Sequence, residues 1–304
     1  MEKIKVYAEL IELKAKVASV LPFLFGIEYG LYNLTQVKPG ATFRLLVFIT
    51  ALLLINSAVD CLNNYCDYIG AKSHNYKEKT NIIGREGLSA KAVLTGTIVM
   101  VLGALILGIY LVYETDVMLL WIGLYSFCVG IFYSAGPLPL SHIPLGEFFS
   151  GTTMGFLIPL CTVGIYWGSF SGWSWQQVVA LLISSMPLVF AIGSLMLVNN
   201  LCDIEEDLAN GRRTLPGLIG RENSLKLLAI FYMGIYVFQI TSVFLGYLPL
   251  FTLLSLLSGI VVFKGFKEIR KEPVKRAAFP FAVKNLAIVS VAQVVTFGLA
   301  LLIN

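Results

Sequence analysis

Asn63-Asn64-Tyr65-Cys66-Asp67 returns as Asn199-Asn200-Leu201-Cys202-Asp203, and Ile83-Gly84-Arg85-Glu86 returns as Ile219-Gly220-Arg221-Glu222. Both pairs are offset by 136 residues (Asn63 to Asn199, Ile83 to Ile219). Asp60, Asn64 and Asp67 are spaced i, i+4, i+7, which stacks them on one face of a helix, with Asn63 beside them. Asp203 and Asp207 are spaced i, i+4, with Asn199 a turn before Asp203 and Glu206 close behind it. Each set lies where a long apolar run meets a polar, basic loop. An ionised carboxylate at the centre of a transmembrane helix costs about 2.5–3.5 kcal/mol. The cost is smaller at a helix end, yet clustered like charges repel, so something positive must offset these acids.

The set contains no His and no Cys. Carboxylate and amide oxygens suit a hard cation, Mg²⁺ first. Mg²⁺ keeps coordination positions for phosphate oxygens, and cations follow each motif: Lys77, Lys79 and Arg85 after the first, Arg212, Arg213 and Arg221 after the second. Acids, metal and guanidinium groups together describe a diphosphate site. Two other readings use the same residues: charges solvated at a membrane interface, and an ion or proton relay in a transporter. Transporter sites usually lie at the bilayer midplane on broken helices, whereas these acids sit at helix ends beside basic loops.

The elements that must position these groups are apolar. The chain is 57% hydrophobic and 13% charged, with a mean hydropathy of +0.81, outside the range of a water-soluble domain. Nine apolar runs are long enough to cross a bilayer core of about 30 Å: 13–33, 45–66, 92–113, 117–137, 147–168, 177–201, 225–246, 248–265 and 285–303. The expected fold is all-α: a polytopic membrane protein of nine transmembrane helices forming one domain, 1–304, around a central cavity. The offset of 136 spans four helices, so the two halves point the same way, as a parallel repeat. Glu9, Glu12, Lys14 and Lys16 interrupt the first run and no cleavage site follows, so no signal peptide is expected.

With the N-terminus in the cytoplasm, 20 of the 22 Lys and Arg residues fall on the inner side, leaving Lys38 and Arg44 outside. Positive charge concentrates in cytoplasmic loops, so the C-terminus is expected outside and the motifs at the cytoplasmic face of the cell membrane. The net charge of +4 then answers to headgroups and phosphorylated substrates, not to nucleic acid. Cys61, Cys66, Cys128, Cys161 and Cys202 read as small buried side chains, and His74 and His142 lack zinc-ligand spacing. A diphosphate held beneath a cavity of apolar helices suits a prenyl diphosphate. Metal and arginines would stabilise the departing pyrophosphate, and aromatic faces such as Tyr65 and Tyr133 an allylic cation.

These residues resemble the UbiA superfamily of intramembrane prenyltransferases, over essentially the whole chain, and most closely the 1,4-dihydroxy-2-naphthoate branch of menaquinone synthesis. The strings that carry the resemblance are Asn63 to Tyr68, Tyr133-Ser134-Ala135-Gly136-Pro137-Leu138-Pro139, Leu145-Gly146-Glu147, Asn199 to Asp207, and Gly211-Arg212-Arg213-Thr214-Leu215. The chain departs from the pattern at Asp60 and Asn64, which stand exchanged, and near Ser73, His74 and Asn75, where a later acid is missing. Pro137 replaces the lysine of 4-hydroxybenzoate enzymes. The resemblance implies Mg²⁺-dependent attachment of a polyprenyl chain to the ring carbon that loses CO₂, yielding demethylmenaquinone, with 4-hydroxybenzoate or another aromatic acceptor as the alternative. No obligate protein partner is inferred.

Metal coordination is assigned to Asp60, Asn64, Asp67, Asp203 and Asp207, with Asp67, Asp203, Asp207 and Tyr133 in catalytic roles. Diphosphate contact goes to Lys79, Arg85, Arg213 and Arg221, and acceptor contact to Glu147, Tyr65, Asn63 and Asn199. Two alternatives stay open: Glu147 as an ordinary interfacial acid, and Asn63 and Asn199 as hydrogen-bonding partners between the repeat helices.

Overall fold

The computed structural model describes residues 2–34, 37–71, 74, 76–136, 139–209 and 211–303, with only the backbone at 2 and 3. Ser73, Asn75, Pro137 and Leu138 lie outside the described residues. The structure is 86% helical, with no strand among the described residues. In chain order the helices are α1 (Glu2–Leu10), α2 (Val17–Asn33), α3 (Ala41–Gly70), α4 (Ile82–Arg85), α5 (Ala90–Glu114) and α6 (Met118–Ser134). They continue as α7 (Gly146–Trp167), α8 (Trp175–Cys202), α9 (Ile204–Ala209), α10 (Leu215–Phe244), α11 (Leu250–Lys271) and α12 (Lys275–Ile303).

Among the described residues, seven helices are long and apolar enough to cross a membrane: α3, α5, α7, α8, α10, α11 and α12. The other two expected crossings fall on α2 and α6, each of 17 residues. At 1.5 Å per residue each rises about 26 Å, short of a full hydrocarbon core. Six of the seven long helices begin earlier than their apolar runs, the last at Lys275 and not at 285, whereas α11 begins two residues late, at Leu250. By contrast α3, with 30 residues, is about 45 Å long. Its final turns, carrying Asn63 to Asp67, therefore project beyond an apolar layer.

Local chemistry explains the starts and joints. Ser174 and Gln177 form a capping box at the head of α8. Gly155 in α7 meets α8 so closely that a Cβ there would lie 2.5 Å from the Val189 nitrogen. The central core packs Leu197 and Val198 of α8 against Leu228 and Tyr232 of α10 and Leu286 and Val289 of α12. Buried polar pairs also tie α10 to α12: Gln293 Nε2 donates to Gln239 Oε1 at 3.0 Å, and Asn285 Nδ2 to the Tyr232 hydroxyl at 3.1 Å. On α5, Val99, Leu102, Ile106 and Ile109 stand exposed, a lipid-facing stripe.

At the end of the bundle remote from the motifs, Arg44 is 1% exposed. It donates to the carbonyls of Ile165 (3.0 Å), Pro39 (2.6 Å), Lys38 (3.1 Å) and Tyr166 (3.4 Å). Lys38 Nζ donates to the Glu114 carbonyl at 2.8 Å. These cations satisfy the orphan carbonyls that close α7 and α5. Hydrogen bonds to charged groups are worth about 1.5–3 kcal/mol each, so Arg44→Met is expected to lower the thermal midpoint in detergent by far more than Lys38→Met. Equal midpoints for the two variants, read by tryptophan fluorescence, would contradict this account.

Candidate active site

The two motifs meet at one end of the bundle. Arg212, in the loop after α9, places Nη2 at 3.3 Å from Asp67 Oδ1 on α3 and Nη1 at 3.6 Å from Asp207 Oδ1 on α9. One guanidinium thus joins the acid of the first motif to the second acid of the second motif. Asp207 is 5% exposed, and Thr214 Oγ1 donates to its Oδ2 at 3.3 Å. Burial pushes the Asp207 carboxyl above its ordinary range, against the pull of Arg212. Tyr76 hydrogen-bonds Asp67 from the loop 76–80. Burial and the nearby Asp67 and Glu206 raise the Tyr76 hydroxyl to about 12, so it stays a donor.

Asp203 belongs to a neighbouring cluster. Lys275 Nζ, at the head of α12, lies 2.5 Å from Asp203 Oδ2 and 2.6 Å from Asn199 Oδ1. The two clusters are linked through the Asp207 amide, which donates to the Asp203 carbonyl at 2.8 Å.

Asp60 and Asn64 are not brought into this group, contrary to the five-residue metal set. Asp60 is paired with Lys16, which also bonds Asn56. Seven residues of helix separate Asp60 from Asp67, a rise of about 10 Å. Asn64 spends its amide on the carbonyls of Leu10 (3.4 Å) and Asp60 (3.1 Å). Tyr65 is also displaced: with Tyr68 it packs on the small core of Leu10, Cys61, Ile82, Ile83 and Val93. It shares a helical face with Cys61, not with Asp67.

The four expected diphosphate cations lie outside these contacts. Arg85 is paired with Glu9 (2.7 Å) and Glu86 (2.9 Å), and Arg221 lies 3.9 Å from the exposed Glu205. Lys79 and Arg213 are exposed; the Arg213 amide donates to the His142 carbonyl at 2.9 Å. Asn63 Oδ1 accepts from Ser134 Oγ at 2.7 Å, so neither Asn63 nor Asn199 bonds the opposite repeat helix through these contacts. The two glycines of the repeated Ile-Gly-Arg-Glu string serve different needs. Gly220 has φ 78°, ψ 165° and kinks α10, whereas a Cβ on Gly84 would strike the Lys77 carbonyl at 2.0 Å.

Tyr133 and Glu147 complete the site. Tyr133 hydrogen-bonds Ser150 and lies within electrostatic reach of Glu147, Arg212 and Asp207. Glu147 is 4% exposed; its Oε1 accepts from Asn200 Nδ2 at 2.9 Å, and its Oε2 is buried without a hydrogen-bond partner among the described residues. An apolar cleft of about 380 Å³ begins one residue further, lined by Trp121, Ile122, Tyr125, Phe148, Thr152 and Leu157.

The spacing of the acids did not reveal Lys16, Lys275 and Asn200. One signal was present: Lys14 and Lys16 fall inside an apolar run, and a buried cation there calls for an anion. Among the described residues, no three acid, cysteine or histidine side chains converge closely enough to hold a metal in this conformation. The donor set nevertheless fits a hard cation in kind, being all oxygen, and tethered cations already stand on those oxygens.

The UbiA prenyltransferase family model matches residues 19–289. This chain belongs to the UbiA prenyltransferase family. The 1,4-dihydroxy-2-naphthoate octaprenyltransferase of Bacillus subtilis (strain 168) is 31% identical over 235 residues, covering 75% of this chain and 70% of that protein. A UbiA homologue from Archaeoglobus fulgidus bound to DMAPP and Mg²⁺ superposes with a TM-score of 0.67 at 14% identity, covering 98% of this chain and 99% of the other. A second, from Aeropyrum pernix K1 without ligand, gives 0.68 at 16% identity, covering 94% and 98%. A digeranylgeranylglyceryl phosphate synthase gives 0.66 at 16% identity, covering all of both chains. The all-α membrane architecture is thus that of UbiA prenyltransferases, and the chain is a prenyltransferase.

Contacting residues couple by about 0.5–3 kcal/mol in double-mutant cycles. A cycle of Arg212→Met with Asp67→Asn in this prenyltransferase, read as kcat/KM, is expected to fall in that range. The cycle of Arg212→Met with Asp60→Asn should be additive. Coupling to Asp60 instead would invert the geometry described.

Proposed function

We propose that this prenyltransferase moves a polyprenyl chain from its diphosphate to 1,4-dihydroxy-2-naphthoate, with loss of CO₂, giving demethylmenaquinone in its quinol form. One observation carries the reading: Asp67 and Asp207, from opposite halves of the chain, share Arg212 at one end of the bundle. The B. subtilis relative, named for a naphthoate substrate, supports the acceptor, as does Pro137 at the place of the lysine of 4-hydroxybenzoate enzymes. The motif end is assigned to the cytoplasmic face of the cell membrane, with the N-terminus inside and the C-terminus outside, because it gathers the basic residues.

Asp67, Asp203 and Asp207, with the amide oxygen of Asn199, would hold Mg²⁺, which when bound neutralises negative charge on the leaving pyrophosphate. Arg212 donates to the same oxygens as the prenyl C–O bond breaks. Lys79 and Arg213, exposed at this end, raise the local concentration of the anionic substrate. The tail lies along apolar helix faces, the cleft beginning at Phe148 among them. The Tyr133 ring faces the allylic cation. Glu147 Oε2 accepts from an acceptor hydroxyl, which raises electron density on the ring as the new C–C bond forms. The electrons of the broken ring–carboxylate bond then restore aromaticity.

Purified protein in detergent, given dihydroxynaphthoate and prenyl diphosphates of several lengths, is expected to form the decarboxylated prenyl product by mass spectrometry with Mg²⁺ and none with EDTA. Product from 4-hydroxybenzoate alone would overturn the acceptor; undiminished product in EDTA would overturn the metal. Asp67→Ala and Asp203→Ala should each cost at least about 10²-fold in kcat, the scale of losing one preorganised charge-stabilising group, while the protein stays folded. Glu147→Gln is expected to raise KM for the acceptor and leave KM for the diphosphate in place; an effect confined to the diphosphate would remove Glu147 from acceptor binding.

A further inference from the structure

Lys275 stands where the reading above places a metal. Its ammonium lies 2.5 Å from Asp203 Oδ2 and 2.6 Å from Asn199 Oδ1, between two oxygens assigned to the cation. It is the first residue of α12, its side chain is 47% exposed, and its Nζ lies 4.9 Å from the Phe279 ring centre. Its ammonium is thus held by two oxygens while its stem stays half open to solvent. Glu12, in the left-handed conformation (φ 47°) between α1 and α2, is within electrostatic reach of both Lys275 and Lys16. The surroundings of Lys275 thus alternate in sign, and moving one cation unbalances its neighbours.

Two routes of metal entry differ in what they leave behind. A free hydrated divalent cation must displace the ammonium from Asp203 and Asn199, leaving it beside an added positive charge. A cation arriving on a diphosphate brings anionic oxygens with it, so the displaced ammonium gains a new partner within reach of its stem. The same holds for Arg212, released from Asp67 and Asp207.

We propose that Lys275 is a diphosphate-binding residue that doubles as a placeholder for the metal, so that the site takes metal and diphosphate together and resists either alone. This inference rests on the metal–diphosphate reading of the site. By linkage, whatever factor diphosphate adds to metal affinity the metal adds to diphosphate affinity.

The test is equilibrium dialysis of the full-length protein in detergent against fixed free Mn²⁺, with and without inorganic pyrophosphate. Wild type is expected to bind Mn²⁺ weakly alone and more tightly with pyrophosphate, by about 5–150-fold, the ordinary range of coupling between sites. K275Q should bind Mn²⁺ alone more tightly than wild type and lose most of the pyrophosphate enhancement, and K275R should restore it. K275Q matching wild type in both measurements, or binding Mn²⁺ alone more weakly, would overturn the role of Lys275 and leave the metal site standing. D203N matching wild type in both would overturn the metal site itself, and the inference with it.

Discussion

Carboxylates at the tips of long apolar helices must be neutralised, and the fold is arranged around that requirement. Asp67 on α3, Asp203 after α8 and Asp207 on α9 gather near one end of the bundle, where burial and the neighbouring Asp203 and Glu206 act against the charge of Asp207. Arg212 and Lys275 offset them, and Lys16 does the same for Asp60 one layer deeper. A partly buried ion pair contributes little net stability, since desolvation cancels most of the attraction, yet removing one partner is costly. Such pairs therefore persist until another cation replaces the first. That is the property a site needs if it is to be stable empty and still exchange its counter-charge.

The internal repeat does not produce two sites, because partners cross between halves. Asp67 of the first half takes its cation from the loop of the second half, and Asp203 takes its own from the head of the last helix. Arg85 and Arg221, equivalent by sequence offset, have parted company: one ties α4 to α1, and the other lies against exposed Glu205. Glycines 84 and 220 likewise keep their place for unrelated backbone reasons. A duplicated string can thus meet a different structural need in each of its two copies.

The apolar runs were legible because a bilayer imposes length and composition on each crossing. Helix starts were less so: α12 begins ten residues before its apolar run, because Lys275, Arg276 and Lys284 interrupt the hydrophobic pattern and Pro280 stands inside the helix. The acids of the site were legible from spacing. Their cations were not, because Lys16 is 44 residues from Asp60 and Lys275 is 72 from Asp203. Choosing between Arg212 and Arg213 needed the turn itself. The Arg212 amide closes on the Asp207 carbonyl and the Arg213 amide on that of His142, so only the first side chain reaches the acids. Tyr65 was misread for a simpler reason: next to the motif in sequence, it lies on another face of the helix.

The far end of the bundle sharpens the electrostatic argument. Both basic residues there are consumed by main-chain carbonyls, Arg44 at the close of α7 and Lys38 at the close of α5. Their charge answers the negative ends of helices, not a ligand. At the motif end Lys79 and Arg213 stand exposed, while Arg212 and Lys275 lie on carboxylates that a metal can claim. A count of lysines and arginines therefore understates the asymmetry between the two ends. One end has spent its positive charge on the fold, and the other keeps charge that an arriving anion can collect.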